Sequence, residues 1–176
     1  MARSPLQVGV LELRRRPGTQ RDVDITTTVE DVAITAARVP TDGEVHVAAT
    51  LEAIEGGAVT VTGTVTAPMD AECRRCLEPI RTTIDAGLSE VFEPQPVEGE
   101  TYPLEGDLVD LEPVVRDALL LALPLAPLCR EDCPGPAPEA FPTGPAAPDA
   151  EDEVTDDEPP LDPRWAALRE LRLDDD

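Results

Sequence analysis

Four cysteines carry most of the chemistry open to this chain of 176 residues. They come as two close pairs, Cys73-Arg74-Arg75-Cys76 and Cys129-Arg130-Glu131-Asp132-Cys133. Two turns that each present two thiolates supply what a tetrahedral zinc ion takes, because short spacing lets both sulfurs face one ion while backbone amides steady them. Cys-x₂-Cys is the usual knuckle spacing and Cys-x₃-Cys a looser one. The 52 residues between Cys76 and Cys129 exceed the spacer of a compact zinc ribbon, so only a tertiary fold can close the site. Arg74 and Arg75 would offset part of the double negative charge of a tetrathiolate centre. Two other readings stay open. The cysteines can be small buried side chains without a ligand. Alternatively, Cys73 and Cys76 can form a thiol–disulfide oxidoreductase pair, its thiols made acidic by the arginines. Against the second stands Leu77-Glu78-Pro79, which cannot run straight into the helix that follows a thioredoxin-type motif.

Other chemistry finds little support. His46 is the one histidine and reads as an outward strand residue. Ser4 and Ser89 are the only serines, and neither sits in a nucleophile elbow. Gly56-Gly57 signals a hairpin rather than a phosphate-binding loop. No pair of carboxylates can be singled out as general acid and base. The sequence therefore points away from an enzyme.

Charge narrows the partners. The 14 basic residues face 37 acidic ones, a formal charge of −23, and all the basic residues are arginines. A surface this negative disfavours naked nucleic acid and anionic membrane, and 2% aromatics leaves no platform for stacking bases. It suits a basic protein instead. Arg14, Arg15, Arg16 and Arg21 are the densest local exception. The N-terminus lacks the features of a secretory signal. The longest apolar run, Ala118–Leu128, is too short to span a membrane and is broken by Pro124 and Pro127. A cytoplasmic protein with reduced thiols is expected.

The elements that must position the cysteines read as α+β. Period-two alternation from Val29 to Ala37, Val45 to Leu51 and Val59 to Thr66, with a further extended run over Ile80–Phe92, predicts an antiparallel meander that is curled or barrel-like. Gly56-Gly57 supplies a tight turn between two of these strands. After an acidic loop over Glu93–Asp107, Asp110-Leu111-Glu112-Pro113 starts a helix reaching residue 123, buried on most sides against the sheet, and Pro124 ends it. Residues 1–133 form the expected folded domain. Residues 131–163 hold 11 acids, 9 prolines and no basic residue. Such composition cannot offset its ordering entropy, so 134–160 is expected to be a disordered acidic linker. Residues 161–173 then restart as a short helix, with Asp162 as cap, Pro163 in the first turn and Trp165, Leu168 and Leu171 along one face.

Several stretches, in order, resemble the YceD family. They are Cys73-Arg74-Arg75-Cys76-Leu77-Glu78-Pro79, the run from Asp110 to Pro124, Pro127-Leu128-Cys129-Arg130-Glu131-Asp132-Cys133, and the run from Leu161 to Leu171. Arg15-Arg16-Pro17-Gly18 and Val61-Thr62-Gly63-Thr64-Val65 are similar too. The resemblance implies a bacterial or plastid factor, without known enzymatic activity, needed for accumulation of large-subunit ribosomal RNA. The lysine-free composition looks like that of a high-GC bacterium. In such a factor the acidic body would suit a basic ribosomal protein or a large-subunit precursor as partner. Family members with this pattern often carry two more cysteines beyond the second pair. Here those positions are Ala137 and Ala140, which leaves Cys73, Cys76, Cys129 and Cys133: the count of one closed zinc site if the two pairs converge, or the remainder of a site that has lost its metal.

Overall fold

The structure, a computed structural model, describes residues 4–137, 139 and 140. The expected helix over 161–173, and most of the expected linker over 134–160, lie outside these residues. The described chain is α+β and mostly strand. Its elements run β1 (Gln7–Gly9), α1 (Leu11–Arg14), β2 (Gln20–Thr27), β3 (Ala37–Arg38), β4 (Val45–Ala53), β5 (Val59–Glu72), β6 (Pro79–Glu93), β7 (Tyr102–Pro103), β8 (Leu108–Asp110) and α2 (Glu112–Ala122).

Strands β2, β4, β5, β6 and β7 neighbour one another in that order, and β3 also pairs with β5. The sheet is open rather than closed into a barrel. Successive β4, β5 and β6 form the expected antiparallel meander. The alternation of Val and Thr sets its two faces. Val45, Val47, Leu51, Val59, Val61 and Val65 are buried on one side. On the other, Thr50 faces Thr62 and His46 faces Thr66 across the β4–β5 ladder. His46 is outward as expected, its Nε2 2.9 Å from Asp24 Oδ1. Between β4 and β5 the chain makes one 3₁₀ turn over Glu55–Gly57, with φ +86° at Gly56 and +83° at Gly57. Side chains rarely adopt that region, so the two glycines serve the turn as anticipated.

Three expectations fail locally. The strand expected from Val29 to Ala37 is a loop that leads only into β3, bridged at Ala33 and Arg38. Asp31 takes φ +55° and interrupts the extended chain. Val29 and Val32 are still buried, so their spacing reports burial rather than a ladder. The strand that does flank β4 is β2, within a stretch dominated in sequence by Arg21, Asp22 and Asp24. It lies at a sheet edge, and its two apolar residues, Val23 and Ile25, are only partly covered, so its apolar signal is thin. Helix α2 is buried on one face only. Val114, Val115 and Leu119 are enclosed, but Leu121 is 88% exposed. The helix ends at Ala122, one residue early, with Leu123 extended ahead of Pro124. At its start, Asp110 Oδ1 accepts the Glu112 N–H at 3.0 Å, which satisfies one of the free amides of the first turn.

The N-terminal segment closes the far end of the molecule. β1 pairs antiparallel with β8, Val8 opposite Val109, in a small second sheet. Arg14 then acts as a latch. Its Nε donates to Gly57 O at 3.2 Å, and its Nη1 donates to Gly106 O and Asp107 Oδ1, both at 2.7 Å. The core joins these parts to the sheet and to α2 through Val10, Leu51, Phe92, Leu111 and Leu119. Burying one such side chain contributes about 2 kcal/mol.

Candidate metal centre

The β5–β6 hairpin pairs from Val59 opposite Phe92 to Glu72 opposite Pro79. Residues 73–78 are therefore its tip, and the first cysteine pair sits there. Backbone bonds shape the tip: Cys73 N–H donates to Glu78 O at 2.9 Å and Leu77 N–H to Cys73 O at 2.9 Å. Leu77 takes φ +63°, which turns the chain back into β6. The second pair arrives from the other direction. Helix α2 packs against β6 and β5, and the segment after Pro124 returns toward the hairpin tip. There Arg74 N–H donates to Pro127 O at 2.9 Å. Arg75 Nη1 donates to Glu131 O and to Cys133 O, each at 3.0 Å.

These contacts bring all four predicted cysteines together. The sulfurs of Cys73, Cys76, Cys129 and Cys133 lie within 4.8 Å of one another. Cys73 Sγ is 3.8 Å from Cys133 Sγ, and Cys76 Sγ is 3.8 Å from Cys129 Sγ. A tetrahedron with metal–sulfur bonds of about 2.3 Å has edges of about 3.8 Å, so the thiol spacing fits one four-coordinate ion. Cys73 and Cys133 are buried, Cys76 is partly covered and Cys129 is exposed. No disulfide joins them. Where two further cysteines were expected to be missing, Ala140 N–H donates to Ala137 O at 3.0 Å. That turn carries methyl groups and offers no ligand.

The electrostatics differ from thiol to thiol. Backbone amides of Cys76 and Cys129 point at Cys73 and favour its thiolate, lowering its pKa to about 6 against the opposing effect of burial. Cys129 is raised to about 12, first because it shares a hydrogen bond with Cys133 and then because of burial and the other two sulfurs. Cys76 is also raised. The Glu78 amide pulls it down, but burial and the thiols of Cys73 and Cys133 outweigh that pull. A thiolate favoured at Cys73 and disfavoured at Cys76 and Cys129 is how such a cluster behaves when like charges would otherwise crowd together. A divalent cation would remove that conflict.

The sequence located the four clustered thiols but not what aligns them. Arg74 and Arg75 were read as charge balance. Arg75 also stitches the two cysteine loops together through main-chain carbonyls, and the Arg74 amide fixes Pro127. Carbonyl acceptors carry no residue-type signature, so nothing in the sequence could reveal these bonds. Arg15 and Arg16, part of the basic cluster near the N-terminus, remain exposed away from the centre, with Arg15 paired only to Glu12 at 3.0 Å. No helix among the described residues is long and apolar enough to cross a membrane.

The chain is 32% identical over 176 residues to an uncharacterized protein of Mycobacterium tuberculosis, which covers 96% of this chain and 82% of the relative. An uncharacterized protein of Mycobacterium bovis matches to the same extent. One of Mycobacterium leprae is 34% identical over 125 residues, covering 66% of this chain and 54% of that protein. No solved structure matches. The family described as large ribosomal RNA subunit accumulation protein YceD matches residues 61–172, a span that contains all but the first two residues of β5, together with β6, α2 and all four cysteines. With the hairpin tip, the helix and both cysteine pairs inside the matched span, this chain belongs to the YceD family.

Proposed function

We propose that this protein is a non-catalytic ribosome-assembly factor that supports accumulation of large-subunit ribosomal RNA, and that its four cysteines hold a structural zinc ion. The family membership carries the first part. The meeting of four thiols at tetrahedral spacing supports the second, because an all-sulfur set selects a soft or borderline cation such as zinc. Cys73, Cys76, Cys129 and Cys133 would hold the ion and fill its whole coordination shell, which leaves no open position for a substrate. Its contribution would be to fasten the segment after α2 onto the hairpin tip.

A formal charge of −23 favours a cationic partner, and a basic ribosomal protein or a protein-bearing large-subunit precursor supplies one. In cells lacking the gene, the ratio of large- to small-subunit ribosomal RNA is expected to fall and to recover when the gene is restored. Capture on the tagged full-length chain is expected to retain ribosomal protein at about 0.1 M salt and lose most of it at about 0.5 M, where the screening length shrinks by roughly half. A normal ratio of the two RNAs in the deletion would overturn the function. Capture indifferent to salt would overturn the electrostatic partner.

The oxidoreductase reading is weaker. The thiol with the lowered pKa, Cys73, is fully buried and cannot meet a protein disulfide, while the exposed Cys129 has its pKa raised. The same asymmetry gives a measurable result for zinc binding. Metal takes thiolates, so each thiol still protonated gives up its proton on binding. Cys73, lowered to about 6, is already ionised at pH 7.5. Zinc binding at that pH is therefore expected to release fewer than four protons per ion, read by calorimetry in buffers of different ionisation enthalpy. Release of all four would show Cys73 to be an ordinary thiol.

A further inference from the structure

Exposure singles out one pair of sulfurs in the cysteine cluster, and their spacing allows a bond between them. Cys76 and Cys129 are the two members that reach the surface, while Cys73 and Cys133 are buried. The accessible sulfurs also sit 3.8 Å apart, across the junction between the hairpin tip and the segment that follows α2. A disulfide within either motif would instead join an accessible sulfur to an enclosed one. We propose that Cys76 and Cys129 form an oxidation site for hydrogen peroxide or an organic hydroperoxide, closing a disulfide between the two loops rather than within either motif. The inference deepens the zinc reading by giving the centre a regulated exit for its metal, but the choice of pair rests on sulfur positions alone.

The chemistry balances with peroxide as the sole oxidant. The Cys129 sulfur attacks one peroxide oxygen, the O–O bond breaks, and the thiol proton goes to the departing oxygen, which leaves as water (or alcohol), giving a sulfenic acid on Cys129. The Cys76 sulfur then attacks the Cys129 sulfur, the S–O bond breaks, and the departing hydroxide takes the Cys76 proton and leaves as water while the S–S bond forms. Two thiols together lose two electrons and two protons, and the peroxide gains them. Two sulfur ligands remain, Cys73 and Cys133, which are too few for a tetrahedral site. The new bond spans the same loops that the ion would have bridged, so release of metal need not free the segment after α2.

The sequence makes the connectivity readable. Cleavage after arginine places Cys73 in peptide 39–74, Cys76 in 76–81, Cys129 in 117–130 and Cys133 in 131–164, one cysteine in each. The full-length chain is treated with one equivalent of hydrogen peroxide, digested without reductant and mapped by mass spectrometry. The expected first product links 76–81 to 117–130, with loss of any bound metal followed by native mass spectrometry on the same sample. A first link between 39–74 and 76–81, or between 117–130 and 131–164, overturns the proposal. So does a sulfinic acid on Cys129 with no link. In Cys76→Ser, Cys129 is expected to stop at the sulfenic acid and be trapped by dimedone, while Cys73→Ser keeps the 76–129 link. A chain that takes up no zinc when supplied with it, yet forms this link with peroxide, would remove the zinc reading and leave the pairing standing. A metal-loaded chain that forms another link would do the reverse.

Discussion

Cys73→Ser is expected to lower zinc affinity at least about 100-fold while leaving the sheet folded. Loss of a group that merely orients a metal ligand costs about 10–100-fold, and in the proposed centre Cys73 would be a ligand itself. Its sulfur is enclosed and receives backbone amides, the environment in which a thiolate is held ready and a serine hydroxyl, which stays protonated, cannot replace it. The apolar core cluster contains none of the four cysteines, so it does not depend on the ion. The far-ultraviolet circular dichroism of the variant should therefore match that of the parent. What changes is local. Arg130, between the two later cysteines, should be cut faster by an arginine-specific protease in the variant, and in the parent after a chelator is added. Competition against a colorimetric zinc chelator measures the affinity. Unchanged affinity would sink the four-thiolate centre, and global unfolding would mean that the metal holds the whole domain rather than one junction.

Gly63→Val is expected to destabilise the domain by about 3 kcal/mol, toward the upper end for overpacking a core. Gly63 lies mid-strand in β5, opposite Ala49 on β4 and Leu88 on β6. A Cβ there would run into the Ala48 carbonyl oxygen and would sit 2.6 Å from Ala49 Cα and 2.8 Å from Ala49 Cβ. These are backbone and near-backbone atoms, which cannot rotate away as the end of a long side chain can. Val adds two methyl groups to the collision even though its strand propensity exceeds that of glycine. Urea unfolding of the parent and variant measures the difference. A change below about 1 kcal/mol would show that β4 and β5 can separate cheaply at this point.

Sequence reasoning reached the parts of this fold whose apolar residues repeat regularly. Val45–Leu51 and Val59–Val65 alternate because one sheet face is buried and the other is wet, and Glu112-Pro113 marks a helix start by simple sterics and dipole. The four cysteines were legible as a set because sulfur ligands come in close pairs. Other features had no such pattern. β2 is an edge strand whose apolar signal is confined to Val23 and Ile25, so the arginines and aspartates around them dominated the reading. β1, β7 and β8 are two or three residues long, below the length at which any period can be counted. The loop over 29–36 misled in the opposite sense, because Val29 and Val32 are buried without belonging to a ladder. Which atoms align the cysteine loops was hidden for a further reason. Arg75 reaches main-chain carbonyls 56 and 58 residues away, and only the closed fold defines those acceptors.

The pairing of β1 with β8 has a consequence for the newborn chain. Gln7 and its partner Asp110 are separated by 103 positions, and Arg14 reaches Asp107 over 93. At roughly 5–20 residues per second, translation leaves the first strand waiting on the order of 5–20 s for its complement to be made, and longer for that stretch to clear the exit tunnel. Through that interval Leu6, Val8, Val10 and Leu13, all enclosed in the finished molecule, must stay in contact with solvent or with the ribosome's own surface.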